Sequence, residues 1–157
     1  MRRAALTLAL MTTAALAFAH SAPNSLVKLT FQAHSVRAEI MVPESELAFA
    51  TAAEHAAQPF PAYLLRHLAV ETPAGAPWKV EVLGVRSTTY FDHPYLLADV
   101  VLTPPAGASA THFVFVDDAV THEVRNHVVM VLARGKESAE LLGALQYPAR
   151  RLTVERP

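Results

Sequence analysis

What most constrains this chain is an alternation of apolar and polar side chains that recurs at strand spacing along most of its length. Val36, Ala38, Ile40 and Val42 fall on one side of an extended backbone, with Arg37, Glu39 and Met41 on the other. A period of two belongs to a half-buried strand and to no helix. Leu26, Leu29 and Phe31 set against Lys28, Thr30 and Gln32 make a first strand, and Ala33-His34-Ser35 reads as the turn between the two. Further strands are expected from Lys79 towards Thr89, over Tyr95 to Thr103, over Thr111 to Asp118, over His127 to Arg134 and at Leu152 to Val154. Pro104-Pro105-Ala106-Gly107 ends one of them abruptly, since proline cannot donate to a ladder and glycine favours a turn. Gly135 to Gln146 reads as a loop with a short helix.

One stretch changes period. Pro43-Glu44-Ser45-Glu46 opens a helix with carboxylates in its first turn, where the helix dipole favours them, and Leu47, Phe49 and Ala50 form its expected buried side. A second helix follows Pro59 and Pro61, with Tyr63, Leu64, His67 and Leu68 at three- and four-residue spacing. About seven strands with this interruption predict a mostly β fold, an immunoglobulin-like β-sandwich with a short two-helix insertion.

The first residues follow a different logic. Met1-Arg2-Arg3 is positive, Ala4 to Ala19 is an uncharged run rich in alanine and leucine, and the run ends in Ala17-Phe18-Ala19. Small residues flanking a cleavage point after a short apolar stretch are the pattern of a secretory signal. A run of about 16 residues falls short of the roughly 20 that span hydrocarbon. The expected organisation is a signal peptide over 1–19 and one domain over 20–157, periplasmic or secreted.

Composition narrows the chemistry. The absence of cysteine rules out disulfides, thiolate metal sites and a cysteine nucleophile. A formal net charge of -1 offers no attraction to nucleic acid. No phosphate-binding, dinucleotide-binding, nucleophile-elbow or zinc-protease motif occurs, and Asp117-Asp118 would point to opposite faces of one strand. The chain therefore reads as no enzyme.

Eight histidines remain to be explained. Cleavage after Ala19 would make His20 the first residue, offering an α-amine and an imidazole to one ion. His122 and His127 flank Glu123-Val124-Arg125-Asn126, a segment expected to turn between strands. His20, His122 and His127 together make a candidate copper or nickel site, since Cu(II) and Ni(II) accept nitrogen donors in tetragonal geometry. Zinc would take three such nitrogens with water or a carboxylate from Asp117 or Asp118. The competing account has His122 and His127 as hydrogen-bonded loop residues. His67, beside Leu64 and Leu68, reads as a packed or capping residue, and His93 as part of a turn in Tyr90-Phe91-Asp92-His93-Pro94.

Several segments taken in order resemble a known family. They are His20-Ser21-Ala22-Pro23-Asn24-Ser25, Val36-Arg37-Ala38-Glu39 leading to Val42-Pro43 and Glu46-Leu47, Tyr63-Leu64-Leu65-Arg66-His67, Leu102 to Gly107, Val120-Thr121-His122 and His127-Val128-Val129. Together they resemble the extracytoplasmic N-terminal domain of HupE/UreJ-type membrane proteins, accessory to hydrogenase and urease and so associated with nickel supply. The resemblance covers most of Ala19 to Arg134, and the family's membrane-spanning helices have no counterpart before Pro157. It implies a non-catalytic periplasmic module that binds or hands over copper or nickel, with an inner-membrane protein as partner. The alternative is a protein-interaction module that docks on such a partner without metal.

Overall fold

A computed structural model describes residues 23–54, 58–135 and 138–156. The signal-peptide assignment and His20 lie outside the described residues. Nine strands and two helices make up the described chain, and the fold is mostly β, as the alternation requires.

The larger sheet has six strands in the order β4-β5-β2-β1-β7-β8. These are β1 (Ser25–Phe31), β2 (Val36–Pro43), β4 (Lys79–Tyr90), β5 (His93–Thr103), β7 (Val129–Arg134) and β8 (Ala139–Leu145). β3 (Leu68–Glu71), β6 (His112–Asp117) and β9 (Arg151–Glu155) form the smaller sheet, ordered β3-β6-β9. Neighbouring strands run antiparallel except β1 and β7, which run parallel with Val27 opposite Val131.

The core lies between the sheets. Val27, Leu29, Val36, Ala38, Ile40 and Val42 reach it from β1 and β2, and Phe113 and Phe115 meet them from β6. Burying such side chains is the main stabilising term in a fold without crosslinks, at roughly 1.5–3 kcal/mol for each large one. Alternate residues face outward, as the period-two pattern of β2 requires, and the strand pairs with β5 with Val36 opposite Leu102 and Ile40 opposite Ala98.

Helices α1 (Glu44–Ala53) and α2 (Phe60–His67) lie between β2 and β3 in the chain, α1 against β2 and β5 and α2 against β3 and β4. α1 starts directly after Pro43 with Glu44 and Glu46 in its first turn. Leu47 and Ala50 are buried, whereas Phe49 is 65% exposed, so the inward face of α1 is narrower than its sequence suggests. α2 carries Pro61 in its first turn, where the missing N–H costs nothing, and ends at Leu68, whose backbone is already extended for β3.

The largest departure from the sequence pattern is β8. Ala139-Glu-Leu-Leu-Gly-Ala-Leu145 is rich in helix formers, yet it pairs with β7 from Val129–Leu145 to Arg134–Ala139. Pairing and packing outweigh intrinsic propensity here. Gly143 lets β8 approach β9 closely: a Cβ there would stand 2.6 Å from Leu152 Cδ1. No helix among the described residues is long and apolar enough to cross a membrane.

Candidate metal centre

The pairing of β3 with β6 sets the site. Leu68 lies opposite Asp117, so the last residue of α2, His67, meets the first residue beyond β6, Asp118. Two bonds join them: the Asp118 N–H donates to the His67 carbonyl at 3.1 Å, and His67 Nδ1 lies 2.8 Å from Asp118 Oδ1.

The backbone then folds tightly. Asp117 is buried and accepts the Ala119 N–H at 2.8 Å. Val120 adopts φ 68, a left-handed conformation that a β-branched residue seldom takes. Its N–H donates to the Tyr63 hydroxyl at 3.0 Å, and its carbonyl accepts from Glu123 and Val124. Holding a valine there costs on the order of 1–3 kcal/mol, offset by these bonds and by complete burial of its side chain. The consequence is the placement of His122. The Asp118 carbonyl accepts both its backbone N–H, at 3.1 Å, and its ring Nδ1, at 2.9 Å.

That last contact fixes the tautomer. A carbonyl oxygen only accepts, so His122 Nδ1 carries the proton and Nε2 of the neutral ring presents a lone pair. Nε2 is buried and lies 2.9 Å from Glu54 Oε1, but out of line for a hydrogen bond, so it has no hydrogen-bond partner among the described residues. His67 stacks on the same ring, with centroids 4.3 Å apart and planes inclined by 17°. Its Nε2 lies 2.8 Å from the same Glu54 oxygen. Tyr63 backs the pair, its ring 4.6 Å from that of His67.

Glu54, just past α1, divides its two oxygens. Oε2 is occupied by Arg66 and by Gln58 at 3.3 Å, while Oε1 faces both imidazoles. Burial raises its pKa, but Arg66 and His67 outweigh that and hold the carboxyl below its ordinary value. Asp118 divides its oxygens likewise, with His67 Nδ1 on Oδ1 at 2.8 Å and Arg150 on Oδ2 at 3.0 Å. Glu54, His67 and His122 thus form a group within metal-binding distance, their donor atoms all within 4.8 Å of one another. Both rings turn Nδ1 to Asp118 and Nε2 inward, the arrangement by which an outer carboxylate or carbonyl orients a metal-binding histidine.

His127 lies elsewhere. It is 1% exposed and its Nε2 accepts the Ser25 N–H at 3.2 Å, with the Ser25 hydroxyl at 2.8 Å. Nδ1 then carries the proton, buried and without a partner among the described residues. Burial pushes the His127 pKa down to about 4. The structure therefore brings His122 together with Glu54 and His67, and gives His127 to the start of β1. Asp117, offered as a zinc ligand by sequence, is sequestered on Ala119, and Asp118 binds the rings rather than the centre they face.

Sequence reasoning passed over Glu54 and read His67 as a packed or capping residue. They are separated by 13 residues, one just past α1 and the other at the end of α2, and from His122 by the whole of β3 to β6. The one local signal was the pair Asp118 and His122, four residues apart on a turn. No family model matches the chain, and no curated protein matches it.

Proposed function

We propose that this protein is an exported, non-catalytic module that binds a divalent transition metal through Glu54 Oε1, His67 Nε2 and His122 Nε2. One observation carries the reading: two imidazoles, each with Nδ1 engaged by Asp118, bring their remaining nitrogens within 2.9 Å of one carboxylate oxygen. Two lone pairs and a carboxylate at such range repel unless a cation lies among them, and a proton or a metal ion meets that need.

Two imidazole nitrogens and a carboxylate oxygen suit copper(II) or nickel(II), which are proposed as the metal, and zinc accepts the same donors. Three protein donors leave tetragonal positions for solvent, a partner's side chain or the amino terminus. His20 is the proposed additional donor once the leader is cleaved after Ala19. Support comes from β1, whose first residue is bonded to His127 and Val128, on the segment that follows His122. The resemblance to HupE/UreJ-type domains favours nickel and a periplasmic location beside an inner-membrane partner.

Isothermal titration of the purified protein with Cu(II), Ni(II) and Zn(II) tests this. One equivalent should bind, tightest for copper as the general order for divalent ions predicts, and His67→Ala or Glu54→Gln should weaken it. Weak binding unchanged in both variants would remove the metal and leave the interaction module. His20→Ala weakens binding if the amino terminus contributes, and leaves it unchanged if it does not. N-terminal sequencing of exported protein checks the cleavage point.

A further inference from the structure

The outward face of the six-stranded sheet is divided in two. One half is laced with charge: Arg86 pairs with Asp99, and Arg134 pairs with Glu39 at 2.8 Å. The other half is apolar. Leu26, Met41, Tyr95 and Leu97 form a cluster separate from the main core, with Met130 and Leu132 packed against it. The four clustered side chains are only 3–7% exposed, so this half of the outward face is a second small core rather than a solvated surface.

Over this half lies a cavity of about 610 Å³, within the usual range for small-molecule sites. Leu26, Tyr95, Met130 and Leu132 line its floor. Its walls are tied in place. The Tyr95 hydroxyl donates to the Asn24 carbonyl at 3.0 Å, and the Asn24 amide reaches Met130 Sδ at 3.9 Å. At the rim the β4–β5 hairpin turns through Phe91 and Asp92, both left-handed at φ 46 and 62. Asparagine and glycine are the usual occupants of such a turn. Here a phenylalanine sits in it, 80% exposed, edge-on to Tyr90 with centroids 4.5 Å apart. Nothing in the turn itself calls for that ring, but a hydrophobic ligand in the cavity would. Lys28 is the one lysine, arginine or acidic side chain among the lining residues, and Glu39, opposite it on β2, pairs with Arg134 instead.

We propose that this cavity binds a hydrophobic carboxylate, its apolar chain laid over Leu26, Met130 and Leu132 and its head group paired with Lys28. The floor supplies the affinity and the single cation at the edge selects the sign of the head group. The site shares no residue with the metal centre and stands independently of it.

Laurate, dodecanol and dodecyltrimethylammonium, each titrated below its micelle-forming concentration into the whole protein, test the proposal. Laurate should saturate at one equivalent and bind about tenfold more tightly than the alcohol, with the cation weakest. Lys28→Ala should remove that tenfold preference and leave the alcohol unchanged. Met130→Asp should abolish laurate binding, and Phe91→Ala, at an exposed turn that cannot compromise the core, should weaken all three probes. Glu54→Gln should alter none of them. The proposal is overturned if laurate fails to saturate, if the probes bind equally with no effect of Lys28→Ala, or if Met130→Asp binds laurate normally while folded.

Discussion

His122 and His127 sit at two ends of one short loop and have opposite fates. His122 is 20% exposed at its side chain, its Nδ1 proton satisfied by a carbonyl and its Nε2 turned towards Glu54. His127 is sealed inside, its Nε2 lone pair spent on Ser25 and its Nδ1–H unsatisfied. The first has a nitrogen in reserve and the second has none to offer. An imidazole becomes available for metal when backbone satisfies its other nitrogen; when the backbone takes its lone pair, the ring is a structural post.

The strongest way to break this contrast is to truncate each ring in turn. His122→Ala should lower metal affinity by about a thousandfold, roughly 4 kcal/mol, while His127→Ala leaves affinity within about twofold. Stability should show the converse. His127→Ala deprives the buried Ser25 hydroxyl of its partner and leaves a void, while the Ser25 N–H keeps the Val128 carbonyl at 3.0 Å, and should cost about 3 kcal/mol in denaturant unfolding; His122→Ala should cost about 1 kcal/mol or less.

Asp118 sharpens the comparison at intermediate size. Asp118→Ala removes the acceptor of His67 Nδ1 but keeps the carbonyl that orients His122, so affinity should fall by about ten- to a hundredfold and not to zero.

Acid titration gives a smaller effect with a definite sign. The folded pKa of His127, about 4, is below its ordinary 6.5, so the unfolded chain binds the proton more readily. Its contribution is therefore lost as pH falls from 6.5 towards about 4. Asp117 runs the other way. Burial, reinforced by Asp118 and opposed by the Ala119 N–H, raises its pKa from 3.8 to about 7, so its contribution is lost as pH rises through that window. The two partly cancel in the intact protein. Asp117→Asn should separate them, becoming more stable than the parent by about 1 kcal/mol at pH 8, with the gap closing towards pH 4. Thermal unfolding across that range measures it.

The sandwich was legible because burial of one strand face imposes period two wherever a strand crosses the core. Val36 to Val42 show it, and so do Phe113 and Phe115. β8 was not legible: an edge strand buries little, so Ala, Glu and Leu are tolerated and the segment reads as loop and helix. The site was half legible. His122 stood out beside a turn, but Glu54 and His67 gain their meaning only when Leu68 pairs with Asp117 and carries the end of α2 to Asp118. His127 looked equivalent to His122 because a sequence shows that a ring is present without showing which nitrogen the backbone has taken.

The most direct measurement is a crystal structure of the metal-loaded protein with data collected on both sides of the metal's absorption edge. The account predicts one anomalous peak among Glu54 Oε1, His67 Nε2 and His122 Nε2, about 2.0–2.1 Å from both nitrogens. A peak on His127 or at an unrelated surface histidine, with His67 and His122 still turned to Glu54 alone, would contradict it.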